Sequence, residues 1–268
     1  MNPWDIYETR INTHGGSKRN ASYIREVRAI NRKLPDNLSY QSAIIYPMEY
    51  GYNIDTEEIA EHSIEQNVAI INSDNLNEKT IISMPKEDIG IGDLVYWMDT
   101  YWLVTERDFN TTLYTKAKLL QCNHLLKWIT DDHKIIEQWC VVEDGTKYLT
   151  GELEDYDFVT TRGDSRISVQ LAKNKFTSIL DRENRFLIDD DDSPHKLAYM
   201  NTKPFKTGLT YNSTGTFKFV MQEVTGTEYD NHELGIADYY LHFKADGTLL
   251  DDTTETIDDT DKRKKVWL

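Results

Sequence analysis

Cysteine is scarce in this 268-residue chain: there are only Cys122 and Cys140, and they form no C-x-x-C pair. No apolar run approaches the length that spans a bilayer. The start, Met1-Asn2-Pro3-Trp4-Asp5, lacks the basic stretch followed by an apolar stretch that marks a secretory signal. Together these absences predict a protein kept in a reducing cytoplasm, both thiols free and buried, with one disulfide left open as the alternative. On that reading the N-x-[ST] triplets at Asn20, Asn37, Asn110 and Asn212 are chance matches.

Catalytic motifs are missing as well. There is no P-loop and no G-x-S-x-G nucleophile elbow. Gly90-Ile91-Gly92-Asp93 lacks the third glycine of a phosphate cradle. His232-Glu233 begins like the zinc helix H-E-x-x-H, but Ile236 stands where the second histidine is needed. The four acids Asp189 to Asp192 are contiguous, whereas a calcium loop alternates its ligands around a glycine turn, so a solvated loop is expected. Asp251-Asp252 and Asp258-Asp259 fail the same test. Cys122 and His124 are the one nucleophile–base candidate, because residues two apart on a strand share a face. The competing reading is a buried thiol beside a surface imidazole. Trp97, Trp102, Trp128 and Trp139 read as core or interface anchors. We therefore expect no catalytic residues, no cofactor, no metal and no enzymatic activity.

What the chain has in excess is negative charge. Its 46 acids outnumber 30 bases, for a formal net charge of -16. Residues 1–35 run the other way, with seven bases (Arg10, Lys18, Arg19, Arg25, Arg28, Arg32, Lys33) against three acids. The remainder carries 23 bases against 43 acids, net -20. So acidic a body is unsuited to gripping nucleic acid through phosphates, though it suits a surface past which DNA slides.

Six Trp, 16 Tyr and 8 Phe favour strands over a helical bundle. Residues 1–35 are predicted helical. Asn2-Pro3 can open one helix carrying Trp4, Tyr7 and Ile11, closed by Gly15-Gly16, and Pro35 stops a second with Tyr23, Ile24, Val27, Ile30 and Leu34 on one side. Arg25, Arg28 and Arg32 lie on another side, either as a solvated face or as a contact for an acidic partner or DNA. Strands are predicted at 68–71, 80–83, 93–98, 101–106, 114–120, 135–142 and 149–153, with Asp99-Thr100 as a tight turn between two of them. A second β group is predicted at 167–172, 185–188, 196–200, 215–223 and 239–244. The predicted fold is mainly β: small barrel or sandwich domains, an N-terminal helical segment and an extended acidic C-terminal tail. The segments are 1–35 helical, 36–153 barrel-like with an insertion at 36–66, 154–244 a second β-rich region, and 245–268 the tail.

Two stretches carry a resemblance. One runs Gly92-Asp93-Leu94-Val95-Tyr96-Trp97 through Tyr101-Trp102-Leu103-Val104-Thr105 to Lys118–Asn123 and Leu126-Lys127-Trp128. The other comprises Asp144–Gly151, Thr161–Ile167 and Glu233–Tyr240. Together they resemble virion structural proteins of tailed phages and prophages of Firmicutes, and the first stretch resembles the head-closure (stopper) proteins of the phage neck. The resemblance implies a connector: a homo-oligomeric, twelvefold ring around the DNA channel. It would meet portal or adaptor on one side and tail proteins on the other, touch packaged DNA weakly, contact no membrane, and be assembled in the bacterial cytoplasm into the virion. Alternatives are another virion part (tail-end, collar or capsid-surface protein) and a cysteine hydrolase using Cys122 and His124.

Overall fold

Two barrel-like sheets and a short N-terminal helical segment make up most of the described chain. The structure is a computed structural model that describes residues 2–13, 16–51, 57–85, 87–108, 113–144, 165–190, 193–206, 210–211 and 214–250. Helix α1 spans Pro3–Thr13, and its first turn is tied down by Asn2 and Asp5, with Asn2 N donating to the Asp5 carboxylate at 3.1 Å. Helix α2 spans Lys18–Lys33 and is N-capped by Ser17, whose Oγ accepts from Asn20 N at 3.1 Å. None of its 16 residues is buried.

The first sheet closes on itself. Strands β1 (Tyr40–Tyr46), β2 (Ile64–Asn72), β3 (Glu78–Ile82), β4 (Leu94–Trp97), β5 (Thr100–Arg107) and β6 (Lys116–Gln121) run β1-β2-β3-β6-β5-β4, and β4 pairs back onto β1. Short helix α3 (Glu57–His62) joins β1 to β2. Alternation sorts the side chains. Val68, Ile70, Ile81, Val95, Trp102 and Leu119 fill the bore, while Leu94 and Leu103 leave through the wall and are just as buried, on the outside. Closure abolishes sheet edges in this half of the chain.

The second sheet takes β7 (His124–Ile129), β8 (Ile135–Asp144), β9 (Arg166–Ala172), β10 (Arg185–Ile188), β11 (Leu197–Phe205) and β13 (Thr214–Val224) in the order β10-β11-β13-β9-β8-β7. Strand β12 (Thr210–Tyr211) pairs with β13. The sheet curls until β10 approaches β7, around a core of Leu126, Trp128, Leu171, Phe186, Phe217 and Phe219. A third cluster glues the halves together: Leu94, Leu103 and Cys122 from the barrel side meet Trp139, Val141 and Ala172. Tyr101 stacks on Trp139 there, ring centroids 4.9 Å apart.

Several expectations are corrected. The turn after β4 is Met98-Asp99, both with positive φ (50° and 56°), and Thr100 already pairs with Trp97. That is a two-residue hairpin turn one position earlier than expected, in the left-handed conformation its twist requires. Residues 239–244 are not a strand. Tyr239–Leu241 is a 3₁₀ turn whose aromatics pack on each other, Tyr239 against Phe243 at 5.0 Å. Residues 40–46, read as insertion, supply β1, and His124–Ile129 supplies β7. The change of sheet falls at Cys122-Asn123, well before the acidic stretch 154–165. That stretch, like the strand expected at 149–153 and the tail beyond Leu250, lies mainly outside the described residues.

Candidate functional site

The four tryptophans lie where anchors should. Trp102 and Trp128 are buried in the two cores, Trp97 packs at the barrel core and donates to Gln41 Oε1 at 2.7 Å, and Trp139 sits between the halves.

Cys122 and His124 straddle the crossing from one sheet to the other, so the shared-face argument does not apply to them. Cys122 packs with Leu94, Leu103 and Met48, whereas His124 lines an open groove with Trp139, Ile188, Asp189 and Asp190. Both cysteines are free and buried. Burial pushes the Cys122 thiol far up, Cys140 adds to this, and a backbone hydrogen bond from Leu103 only partly offsets them. Burial likewise pushes Cys140 up to about 12. A thiol held in that form is a poor nucleophile at neutral pH. Native protein is therefore expected to resist a water-soluble aromatic disulfide reagent at pH 7.5, labelling at least ~1,000-fold slower than the same chain in denaturant, since about one thiolate in 10⁴ to 10⁵ forms at a pKa near 12. Rapid release of one equivalent from native protein would contradict this.

The groove unites two features that sequence reading treated separately, His124 and the start of the aspartate run. Several of its polar groups are already engaged. Asn123 uses its side-chain amide as a surrogate strand, donating to Val142 O and accepting from Val142 N, each at 2.8 Å. Asp189 Oδ1 accepts from Asp190 N at 2.8 Å, and Lys196 Nζ donates to Asp190 O at 3.0 Å. Asp191 and Asp192 lie outside the described residues. His232 sits in a turn, not a helix, and its Nδ1 accepts from Lys196 N at 3.1 Å. Among the described residues no group of three or more His, Cys, Asp or Glu is placed to hold a metal ion. Nor, among them, is any helix long and apolar enough to cross a membrane.

A second cleft lies beside α4 (Lys175–Ser178), where Glu49, Tyr50, Lys173 and Asn174 meet. Beneath it Asn174 caps α4, its Oδ1 accepting from Phe176 N and Thr177 N. Its amide donates to Gly51 O (3.0 Å) and Gln138 Oε1 (2.9 Å). Gln138 in turn donates to Ala172 O at 3.1 Å. This buried network ties the link after β1 to the second sheet and satisfies every group it uses, so it positions backbone.

Comparison with known proteins finds no matching family model, no matching curated protein and no matching solved structure. The reading of function thus rests on the chain's own chemistry and on the resemblance of its motifs.

Among the described residues, Gly90–Asp93 holds the one strongly displaced carboxyl. Asp93 is buried and accepts from Gly90 N at 2.6 Å, which makes the glycine pair a turn around a carboxylate rather than around a phosphate. Burial raises its pKa to about 7; the Gly90 N–H opposes this, Glu49 and Asp88 add to it, and Arg107 opposes it. The folded chain thus keeps a proton that the unfolded chain releases near pH 4, so stability declines as pH rises from about 4 to about 7. Asp93→Asn, which keeps an acceptor for Gly90, is expected to remove that slope. Urea midpoints measured from pH 5 to 8 check this: the variant should gain on wild type as pH rises, and parallel curves would refute the assignment.

What sequence reading missed is that three exposed turns bearing acids gather at one end of the barrel. By register the start of β1, the β2–β3 turn and the β4–β5 turn lie at one end of the barrel. The signal was present in three short turns that each pair an acid with an apolar residue: Asp36/Leu38, Asp74/Leu76 and Met98/Asp99.

Proposed function

We propose that the chain is a structural subunit of the neck of a tailed phage, of the head-closure or connector type. It forms a homo-oligomeric ring around the DNA channel, between portal or adaptor and tail, and is carried in the virion after assembly in the bacterial cytoplasm. One observation carries the assembly part of this reading: a basic helix of 16 residues, none buried, is attached to a body of opposite charge. A helix of that length is marginal alone in water and gains its stability from a surface that covers its apolar face. The acidic body supports weak, sliding contact with DNA, and the acidic residues after 250, beyond the bridge of Phe243 to Leu249, serve as an extended arm ordered by a neighbouring subunit. The phage part rests on the resemblance of the Gly92–Thr105 hairpin and the motifs around it. The protonated, buried thiols disfavour the cysteine-hydrolase reading.

Particle imaging tests the proposal. Virions from the phage or prophage that encodes the chain, carrying an affinity tag on it and labelled with gold, should show label at the head–tail junction. Label at the tail tip, collar or capsid surface would assign it to another virion part, and particles without the chain would end the structural reading.

A further inference from the structure

The N-terminal helices expose a face that the rest of the described chain does not bury. Trp4 is 69% exposed, Tyr7 56% and Tyr23 38%. Arg25, Arg28 and Arg32 follow on the exposed side of α2 at spacings of three and four residues, which puts them on one face. Such a surface calls for an occupant that is both acidic and apolar.

The barrel end described above has that character. Tyr40 pairs with Ala69, Glu78 with Leu120, and Trp97 with Thr100, so the α2–β1 link and the two turns surround the same opening. Trp97 and Trp102 pack beneath it, 6.0 Å apart. Leu38 is 97% exposed, Leu76 87% and Met98 67%, which places these three among the most exposed large apolar side chains of the described chain. Asp36, Asp74 and Asp99 stand exposed on the same three turns. Lys79, a cation next to this rim, is turned onto Leu76 O (3.2 Å) and the Trp102 ring. Apolar tips interleaved with carboxylates match an arm that offers exposed aromatics on α1 and an arginine stripe on α2.

We propose that the α1–α2 arm of one copy docks on this barrel rim of a second copy. The contact joins two different surfaces of the same chain, so it is heterologous and propagates from copy to copy until a ring closes or a filament grows. Acidic rim and basic arm also exclude the wrong pairings, rim on rim and arm on arm, by like-charge repulsion. The proposal goes beyond the phage reading and stands for any assembly built from this chain; solution mass and virion imaging can fail independently.

The test uses the full chain in solution. Wild type at low ionic strength is expected to sediment as an oligomer that loses copies as salt rises from about 0.05 M to about 1 M, where screening shortens to ~3 Å. Arg25→Glu/Arg28→Glu/Arg32→Glu alters no buried residue and should leave a folded monomer. Asp36→Lys/Asp74→Lys/Asp99→Lys should do the same from the other side. Mixed in equal amounts, the two variants pair the intact arm of one with the intact rim of the other, and the charge-reversed arm with the charge-reversed rim, so assembly should return with the two chains alternating. Wild type monomeric at low salt and high concentration would overturn the proposal, as would a triple-arginine variant that assembles like wild type. It would equally be overturned by a monomer whose arm arginines bind a DNA duplex instead.

Discussion

Replacing Gly92 by alanine is expected to destabilise the chain by about 2–5 kcal/mol, from left-handed strain of ~1–2 kcal/mol and overpacking of ~1–3 kcal/mol. Gly92 adopts φ +94°, and a Cβ there would lie 2.1 Å from Gly215 O. Neither partner can step aside. Gly92 N donates to Val104 O in the barrel wall, and Gly215 O accepts from Lys173 N in the second sheet, both at 2.8 Å. The two sheets therefore cross backbone to backbone at this point, and a methyl group forces them apart along the interface that holds Tyr101 on Trp139. Urea unfolding should show a lower midpoint and a transition that broadens or splits, because cooperativity between the halves runs through this contact. Gly235→Ala is the control. It has a comparable φ of +69°, but its new Cβ meets only the flexible end of Lys196 at 3.5 Å. It should cost about 1 kcal/mol, the conformational term alone. Equal losses in the two variants would mean that the crossing carries no load.

Arg185→Leu is the second large effect, expected at about 3–5 kcal/mol because it strands a buried carboxylate. Arg185 on β10 bonds Asp230 twice, at 2.8 and 3.0 Å, and reaches Asp238 at 2.6 Å. The Asp230 side chain is fully buried and also accepts from Thr227 N and Asp238 N. These bonds pin residues 227–238 over the outer face of β10 and β11, where Ala237 covers Leu187 and Ala198. Burial pushes the Asp230 carboxyl up, but Arg185 and the two backbone donors outweigh it and hold it below its ordinary value. Its contribution is therefore complete above the unfolded carboxylate value, near pH 4, and fades as pH falls through the lowered folded value. In the variant, burial acts unopposed by the guanidinium and protonation relieves the site. The stability gap between wild type and variant should be widest at neutral pH and narrow below about pH 4. A gap independent of pH would show that lost packing, not charge, sets the cost. Arg185→Met/Asp230→Leu should recover part of the loss, limited by the two N–H groups left without an acceptor.

Short runs of aromatic and aliphatic residues with flanking turn formers were legible: β10 coincides with its expected range, and β4, β5 and β9 fall within a residue or two of theirs. β1 was not. Tyr40–Tyr46 alternates correctly, with Ala43 and Ile45 inward, but its neighbours Pro47 and Gly51 suggested a loop, and its pairing partners lie some 20 to 50 residues away. The 239–244 segment erred in the opposite sense, since its aromatics suit a strand but pack on one another from a 3₁₀ turn opened by Asp238 in the left-handed region. The groove was legible only in pieces, because His124 and Asp189 are brought together by the curl of the second sheet. No local pattern reports such closure. Opposite charge in arm and body was plain from the sequence, but the gathering of Asp36, Asp74 and Asp99 at one barrel end needed the register.

Strand order also sets a timetable for synthesis. All six strands of the barrel have been synthesised once residue 121 is added, whereas the second sheet is organised around β13, which lies between β9 and β11 and is the last of the described strands to be translated. At ~5–20 residues per second, the stretch from Gln121 to Val224 takes about 5–20 s to produce. During that interval the barrel can close, but its outer wall of Leu94, Leu103, Tyr46 and Tyr101 has no second sheet to lie against. The nascent chain thus carries a greasy, aromatic patch for seconds, and its yield in a host cell will depend on how quickly the ribosome clears Val224.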